Sequence, residues 1–383
     1  MPILRALALS RAPAAALMAV GVLWGGFAAL VPDIKAATGA SDAALGAALL
    51  MSAVGGMGAM ALAPWAGRRL GRLALPAMGA ALTVAFLYPA FAWDVVSLGA
   101  AMFAMGATVA LLDVTANVEI SAREAREGVH LMNVNHAMFS FAFAGAAYGT
   151  GLARQAGAGP DEVLPVLALV GAGLALAMWS PGAADPPEDG RAGIAGSGAP
   201  WGVIGLTGLI LFASFIGENA TEAWSALHLE RTLGAPPGEG GLGPAVLGLV
   251  MGIGRMSGQV VADRLGHARL IFTSAALGVT GALTIAAAPS VPVAVLGVAV
   301  AALGMAVIVP SANSMLGARV TGAQRAHALS RAWMVGIFGF FIGPAMMGGI
   351  AELLGLRMSF AAISAIVALI LPAVVLLDRR PRA

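Results

Sequence analysis

The side chains in this sequence with most capacity for chemistry are polar or ionisable groups embedded in apolar runs. Arg255 lies in one such run, in the pattern Gly248-x-x-x-Gly252-x-x-Arg255-x-x-x-Gln259. Spacings of four, three and four put these residues on one helical face, so the arginine shares a surface with small residues suited to close helix packing. It stands about seven residues before the end of the run, roughly 10 Å at the helical rise per residue. Snorkelling eases that depth only in part, so the guanidinium calls for an acidic partner or a watery cavity. Asp113 and Asn117 are one turn apart in an earlier run. Asn133, His136 and Ser140, spaced three and four, share a face in the run after that. Glu218 and Glu222 are again one turn apart, with Asn219 and Trp224 close by as candidates to line an outer mouth. Carboxylates and an imidazole in such places can bind and release protons, and burial and neighbouring charge decide when. Each set also has a plain structural reading: a satisfied polar cluster that pins helices, an ion pair at Arg255, or glutamates exposed beyond a helix end. Trp24 with Phe27, and Trp333 with Phe338, are able to stack on a solute or equally to pack and anchor at an interface. Glu119, four residues before Arg123, reads as a surface pair.

Composition narrows the field. Of 383 residues, 59% are hydrophobic and 10% charged, against about 25% charged in a soluble domain, which makes this a membrane protein. The net charge is +2 with no Lys/Arg block, so nucleic acid is not an expected partner. Cysteine is absent, which excludes disulfides, Cys-ligated zinc and thiol catalysis. The five histidines have no metal spacing, and no phosphate loop, catalytic triad or paired acids at glycosidase geometry occurs. An enzyme is not expected, nor a metal, nor a cofactor.

The elements that must position these residues are membrane spans, each needing about 20 apolar residues. Arg5 and Arg11 precede an apolar run of full span length at 12–31, which reads as an uncleaved first helix rather than a signal peptide. Hydropathy predicts further spans near 43–63, 73–92, 95–118, 129–152 and 162–180. Residues 181–200, rich in Pro, Gly and acid, read as a linker. Six more spans follow near 201–222, 242–262, 270–288, 292–315, 328–350 and 358–377. The expectation is an all-α protein of twelve transmembrane helices in two pseudo-symmetric six-helix halves, 1–180 and 201–383. With both termini on the cytoplasmic side of a bacterial inner membrane, 16 of the 21 Lys and Arg face the cytoplasm, and only Lys35, Arg154, Arg231 and Arg357 lie outside. Shifting the chain by 195 residues lays Gly46 on Gly241, Arg69-Leu70-Gly71 on Arg264-Leu265-Gly266, and His136 on Arg331. Parallel repeats of this kind, with a solute site between them at mid-membrane, are one transporter plan.

The segment Gly258-x-x-x-Ala262-Asp263-Arg264-Leu265-Gly266-x-x-Arg269 resembles the signature loop of the major facilitator superfamily. The matching loop of the first half keeps Arg69-Leu70-Gly71 but has Pro64 and Arg68 where the motif has glycine and aspartate. The resemblance covers all twelve spans. It implies that Gly258, Asp263, Arg264, Gly266 and Arg269 form a cytoplasmic gate, with the latch mainly in the second half. Asp113-x-x-x-Asn117, His136-Ala-x-Phe139-Ser140 and Glu218-x-Ala-x-x-x-Trp224-Ser225 are similar to a poorly characterised bacterial branch related to sugar and proton symporters. In the fold so implied, spans five and eight touch, bringing His136 near Arg255, with Asp113 the expected counter-charge. Gly339-x-x-x-Gly343-Pro344-x-x-x-Gly348 is similar to an antiporter motif, though it falls in span eleven instead of span five. The expected function is a monomeric secondary transporter of a small polar solute, working by alternating access and coupled to protons through Asp113, His136 or Glu218. Efflux of amphiphilic compounds is one alternative, and a non-transporting membrane sensor is another.

Overall fold

The computed structural model describes residues 3–129, 131–179 and 200–381. The linker expected over 181–200 lies outside the described residues except for Pro200. Among the described residues the regular structure is helical. A short α1 (Ile3–Leu9) leads into α2 (Arg11–Thr38), α3 (Asp42–Leu70), α4 (Ala74–Ala85), α5 (Val95–Glu127), α6 (Met132–Gln155) and α7 (Pro160–Ala177). Then come α8 (Trp201–Leu227), α9 (Leu242–Leu265), α10 (His267–Ala287), α11 (Val291–Met305), α12 (Ile308–Gly317), α13 (Gly322–Ala368) and α14 (Ile370–Asp378).

Among the described residues, 8 helical segments are long and apolar enough to cross a membrane. Two of them, Asp42–Phe91 and His327–Asp378, hold two legs each, because the chain turns at Gly71 and at Gly355. Both glycines have positive φ, 53° and 81°, a region in which an L side chain clashes with the backbone. Helices α6 and α9 are two further long helices, and they carry Asn133, His136, Arg255 and the signature aspartate. With these two, the helical legs among the described residues reach the expected twelve. Two expected spans differ in detail. The run 73–92 is helical only to Ala85 before a 3-10 turn at Tyr88–Phe91, and the run 292–315 is split between α11 and α12, whereas the expected break between 328–350 and 358–377 falls at the Gly355 turn inside α13.

Within the first six legs, α2 packs on α6 and α7, and α5 on α3 and α4; in the last six, α8 packs on α13 and α10 on α11. The two sets meet chiefly through α6 against α9 and α3 against α13. Both meetings close up on glycine at the end of the bundle away from the chain termini. A β-carbon on Gly46 would stand 2.6 Å from the Pro344 carbonyl oxygen and 3.1 Å from Gly348 Cα. One on Gly241 would stand 3.0 Å from both the Ala147 carbonyl oxygen and Gly151 Cα. Gly46 and Gly241 are the pair that the 195-residue shift superposes, so the repeat in the sequence is a repeat of contacts. The shift also pairs Gly71 with Gly266, and both end their helices with positive φ, 53° and 77°.

Candidate functional site between the two sets of helices

The site is positioned by ordinary capping chemistry. Asp94 starts α5 with a capping box, accepting from Ser97 N at 2.7 Å while Ser97 Oγ accepts from Asp94 N at 3.1 Å. Those backbone donors hold the exposed Asp94 carboxyl below the usual range. Gly128, with φ 64°, ends α5, and Glu124 Oε1 then accepts from Leu131 N and, at 2.9 Å, from Met132 N at the start of α6. This turn sets α6 beside α5, so that His136 Nε2 lies 3.1 Å from Asn117 Oδ1. Asn117 Nδ2 donates to the Asp113 carbonyl at 2.9 Å. One turn along α6, Ser140 faces α9.

Arg255 stands ten residues before the last residue of α9, roughly 15 Å from the helix end and deeper than the hydropathy boundary implied. Its Nη1 donates to Ser140 Oγ at 2.7 Å and its Nη2 to Glu218 Oε1 at 2.8 Å. The partner is therefore Glu218 on α8, and not Asp113, which makes no ion pair among the described residues. The close approach that allows this comes from Gly248 and Gly252, whose β-carbons would fall 2.9 Å from the Ser140 carbonyl oxygen and 2.6 Å from the Phe141 ring. The Arg255–Glu218 bond ties the last six legs internally, while Ser140 ties them to the first six.

Glu222, one turn further along α8, is where the sequence reading fell short. Exposure beyond a helix end was one expectation for the two glutamates, yet α8 continues through Leu227 into a π-helical turn, His228–Thr232. Glu222 is 8% exposed, and its Oε1 has no hydrogen-bond partner. The Trp24 indole from α2 faces its carboxylate. Trp24 also packs on Phe27 and Phe86, with ring centroids 5.5 and 5.8 Å away. Phe27 is buried and so belongs to the core. Asn219 and Trp224 are buried too, at 4% and 0% exposure. Asn133 is exposed and makes no hydrogen bond to the cluster among the described residues. Trp333 is exposed, donating to Asn313 Oδ1 at 3.2 Å and lying 5.5 Å from the Phe215 ring.

A second polar assembly closes the end away from the termini, and hydropathy gave no hint of it. Arg154 on α6 is 4% exposed. It forms a bidentate pair with Asp33 on α2, both bonds 2.5 Å, and a second with Glu230 beyond α8, whose Oε2 lies 3.0 Å from Nη2. Its Nη1 also donates to the Ala29 carbonyl at 3.0 Å. Arg231 pairs with Asp42 on α3 at 2.5 and 2.6 Å, and Lys35 reaches the same carboxylate at 3.4 Å. Glu352 on α13 accepts from Asp42 N at 2.8 Å, placing an anion at the N-terminus of α3. Three of the four cations that the charge count left outside are thus spent on this closure. The signal available in the sequence was the matching acids Asp33, Asp42, Glu230 and Glu352 at adjoining span ends.

The signature loop lies at the opposite end. Gly258 packs on Val307 at the break between α11 and α12, and Gly266 takes its left-handed turn there. Asp263, Arg264 and Arg269 are exposed. Ion pairs around Arg154 and Asp42 join the two sets of helices at the far end.

Comparison with known proteins places this geometry. Residues 207–383 match the model of the Major Facilitator Superfamily. An uncharacterized MFS-type transporter of Yersinia pestis is 27% identical over 349 residues, covering 88% of each chain. Membrane protein MosC of Rhizobium meliloti is 29% identical over 368 residues, 94% of this chain and 88% of that one. Among solved structures, the xylose transporter XylE from E. coli in an inward open conformation aligns over 99% of this chain and 97% of its own, with TM-score 0.74 and 15% identity. A bacterial homolog of the human lysosomal transporter Spinster, inward-facing and occupied, aligns over 98% and 96%, with TM-score 0.70 and 16% identity.

Proposed function

We propose that this chain, whose residues 207–383 match the Major Facilitator Superfamily, is a member of it and a proton-coupled secondary transporter that moves a small polar solute by alternating access. The observation that carries this reading is the Ser140–Arg255–Glu218 chain, a mid-membrane charge cluster at the meeting of the two sets of helices. Buried ionisable groups in such a place are expensive and mark solute or ion pathways. Arg255, Ser140, His136 and Asn117 offer donors and acceptors to hydroxyl, carboxylate or amide groups on a solute. Glu218 is the carboxylate bonded within it, and Glu222 stands one turn along α8.

The Arg154 and Asp42 networks hold one end shut. Toward the other end, Met57, Met60, Met256 and Trp333 are exposed on α3, α9 and α13. We assign this arrangement to an inward-open state with both termini in the cytoplasm, in keeping with the arginine excess at the termini end. Separation of the far-end pairs and closure around the signature loop would give the other state. The antiporter-like glycines have a packing role instead, since a β-carbon on Gly339 would stand 2.3 Å from the Phe212 carbonyl oxygen.

A thermal-shift screen of the purified protein against sugars, amino acids and nucleosides tests the site. Xylose comes first, because the named neighbour XylE transports it. At least one compound should raise the melting temperature of the wild type and leave Arg255→Ala unmoved. A compound that stabilises both proteins equally would place the solute elsewhere.

A further inference from the structure

We propose that Glu222 is the residue that takes up and releases the coupled proton, an assignment that rests on the proton-coupled reading and names its carrier. Two carboxylates, Glu218 and Glu222, stand one turn apart on α8, and a single guanidinium serves them. Arg255 hydrogen-bonds Glu218 at 2.8 Å, while Glu222 makes no ion pair among the described residues. The charged groups acting on Glu222 are Glu218 on its own helix and Arg255 on α9; α2 brings only the neutral Trp24 indole. At 8% exposure, with Oε1 unpartnered, the ionised form has lost its hydration and gained no cation. A carboxylate so placed is accommodated as the neutral acid, or with a cation drawn to it.

The step is simple. A proton from bulk water bonds to Glu222 Oε1 and converts the anion to the acid, and Arg255 is left to Glu218 and Ser140. When the proton departs, the second anion returns and competes with Glu218 for the same guanidinium. Proton release thereby loosens the bond from Arg255 to Ser140, the link between the two sets of helices. Asp113 lacks this connection, since its neighbour Asn117 bonds its backbone carbonyl and then His136.

Infrared difference spectroscopy of the protein in lipid nanodiscs, titrated from acid to alkaline buffer, reads carboxylic acid carbonyl bands directly and requires no solute. The wild type should show a titrating band that is lost in Glu222→Gln, kept in Asp113→Asn, and displaced in Trp24→Phe, which removes the facing indole. The Trp24→Phe arm covers the case in which Glu222→Gln fails to fold. A spectrum unchanged in Glu222→Gln and in Trp24→Phe overturns the assignment while leaving solute transport untouched. A Glu222 band in a protein whose flux ignores a pH gradient overturns the coupling reading and this assignment with it, so the two failures are told apart.

Discussion

Replacing Arg154 by glutamine should open the end of the bundle that this structure shows closed. The guanidinium holds Asp33 from its own set of helices and Glu230 from the other, and it is 2% exposed in its side chain. Removing one partner of a buried ion pair costs about 3–5 kcal/mol, because the remaining charge is left desolvated. Asp33 keeps 32% side-chain exposure, which favours the lower end of that range. A loss of about 3 kcal/mol against the closed end is a shift of roughly a hundredfold in the balance of two states. The chain has no cysteine, so any introduced thiol reports alone. Ala245 packs with Ala29 and Ala147 across the two sets of helices and is 7% exposed. Ala245→Cys should react slowly with an impermeant maleimide, and the rate should rise by about one to two orders of magnitude when Arg154→Gln is added. An unchanged rate would mean that the pairs seal nothing.

Removing Arg255 has the second large effect, and its size depends on what is left behind. Arg255→Ala strands Glu218 beside Glu222, two carboxylates a turn apart with no cation, and should lower the melting temperature more than Glu218→Gln does. The double variant should recover part of the loss, because it removes the stranded charge as well. Both partners keep 19% side-chain exposure, so the coupling energy belongs in the range of about 1–3 kcal/mol and not at the extreme for a dry pair. A double-mutant cycle read by thermal unfolding in detergent gives the number. Strict additivity would show that the 2.8 Å bond is not the partner Arg255 needs.

How much of this was legible in the sequence depends on the range over which each signal acts. Apolar runs act along the chain, and they marked where the spans lie, although α2, α3 and α5 run seven to nine residues past their expected ends. The break at Val307 was harder, since it interrupts an apolar run without changing its hydropathy. The shared face of Gly248, Gly252 and Arg255 is local periodicity, and it placed the arginine on the packing side correctly. Its partner is not local. Asp113 was favoured because the chain's polar pattern joined it to His136, but the choice between Asp113 and Glu218 depends on how α8 rotates against α9, and no spacing encodes that. Glu222 was missed for a related reason. Where α8 ends decides whether it is exposed or buried, and the π turn at His228–Thr232 extends the helix past the hydropathy boundary. The far-end network joins Asp33, Asp42, Arg154, Glu230, Arg231 and Glu352, residues up to 310 apart in the chain for the Asp42–Glu352 bond, so only the fold could assemble it.

The central claim is that a solute crosses through the Arg255 site with protons. Proteoliposomes containing the purified protein, supplied with the compound that the thermal-shift screen identifies, test it under an imposed pH gradient. Uptake should follow the gradient in the wild type, fall when the gradient is collapsed, lose its dependence on the gradient in Glu222→Gln, and drop severely in Arg255→Ala. Wild-type flux that is the same with and without the gradient would contradict the account.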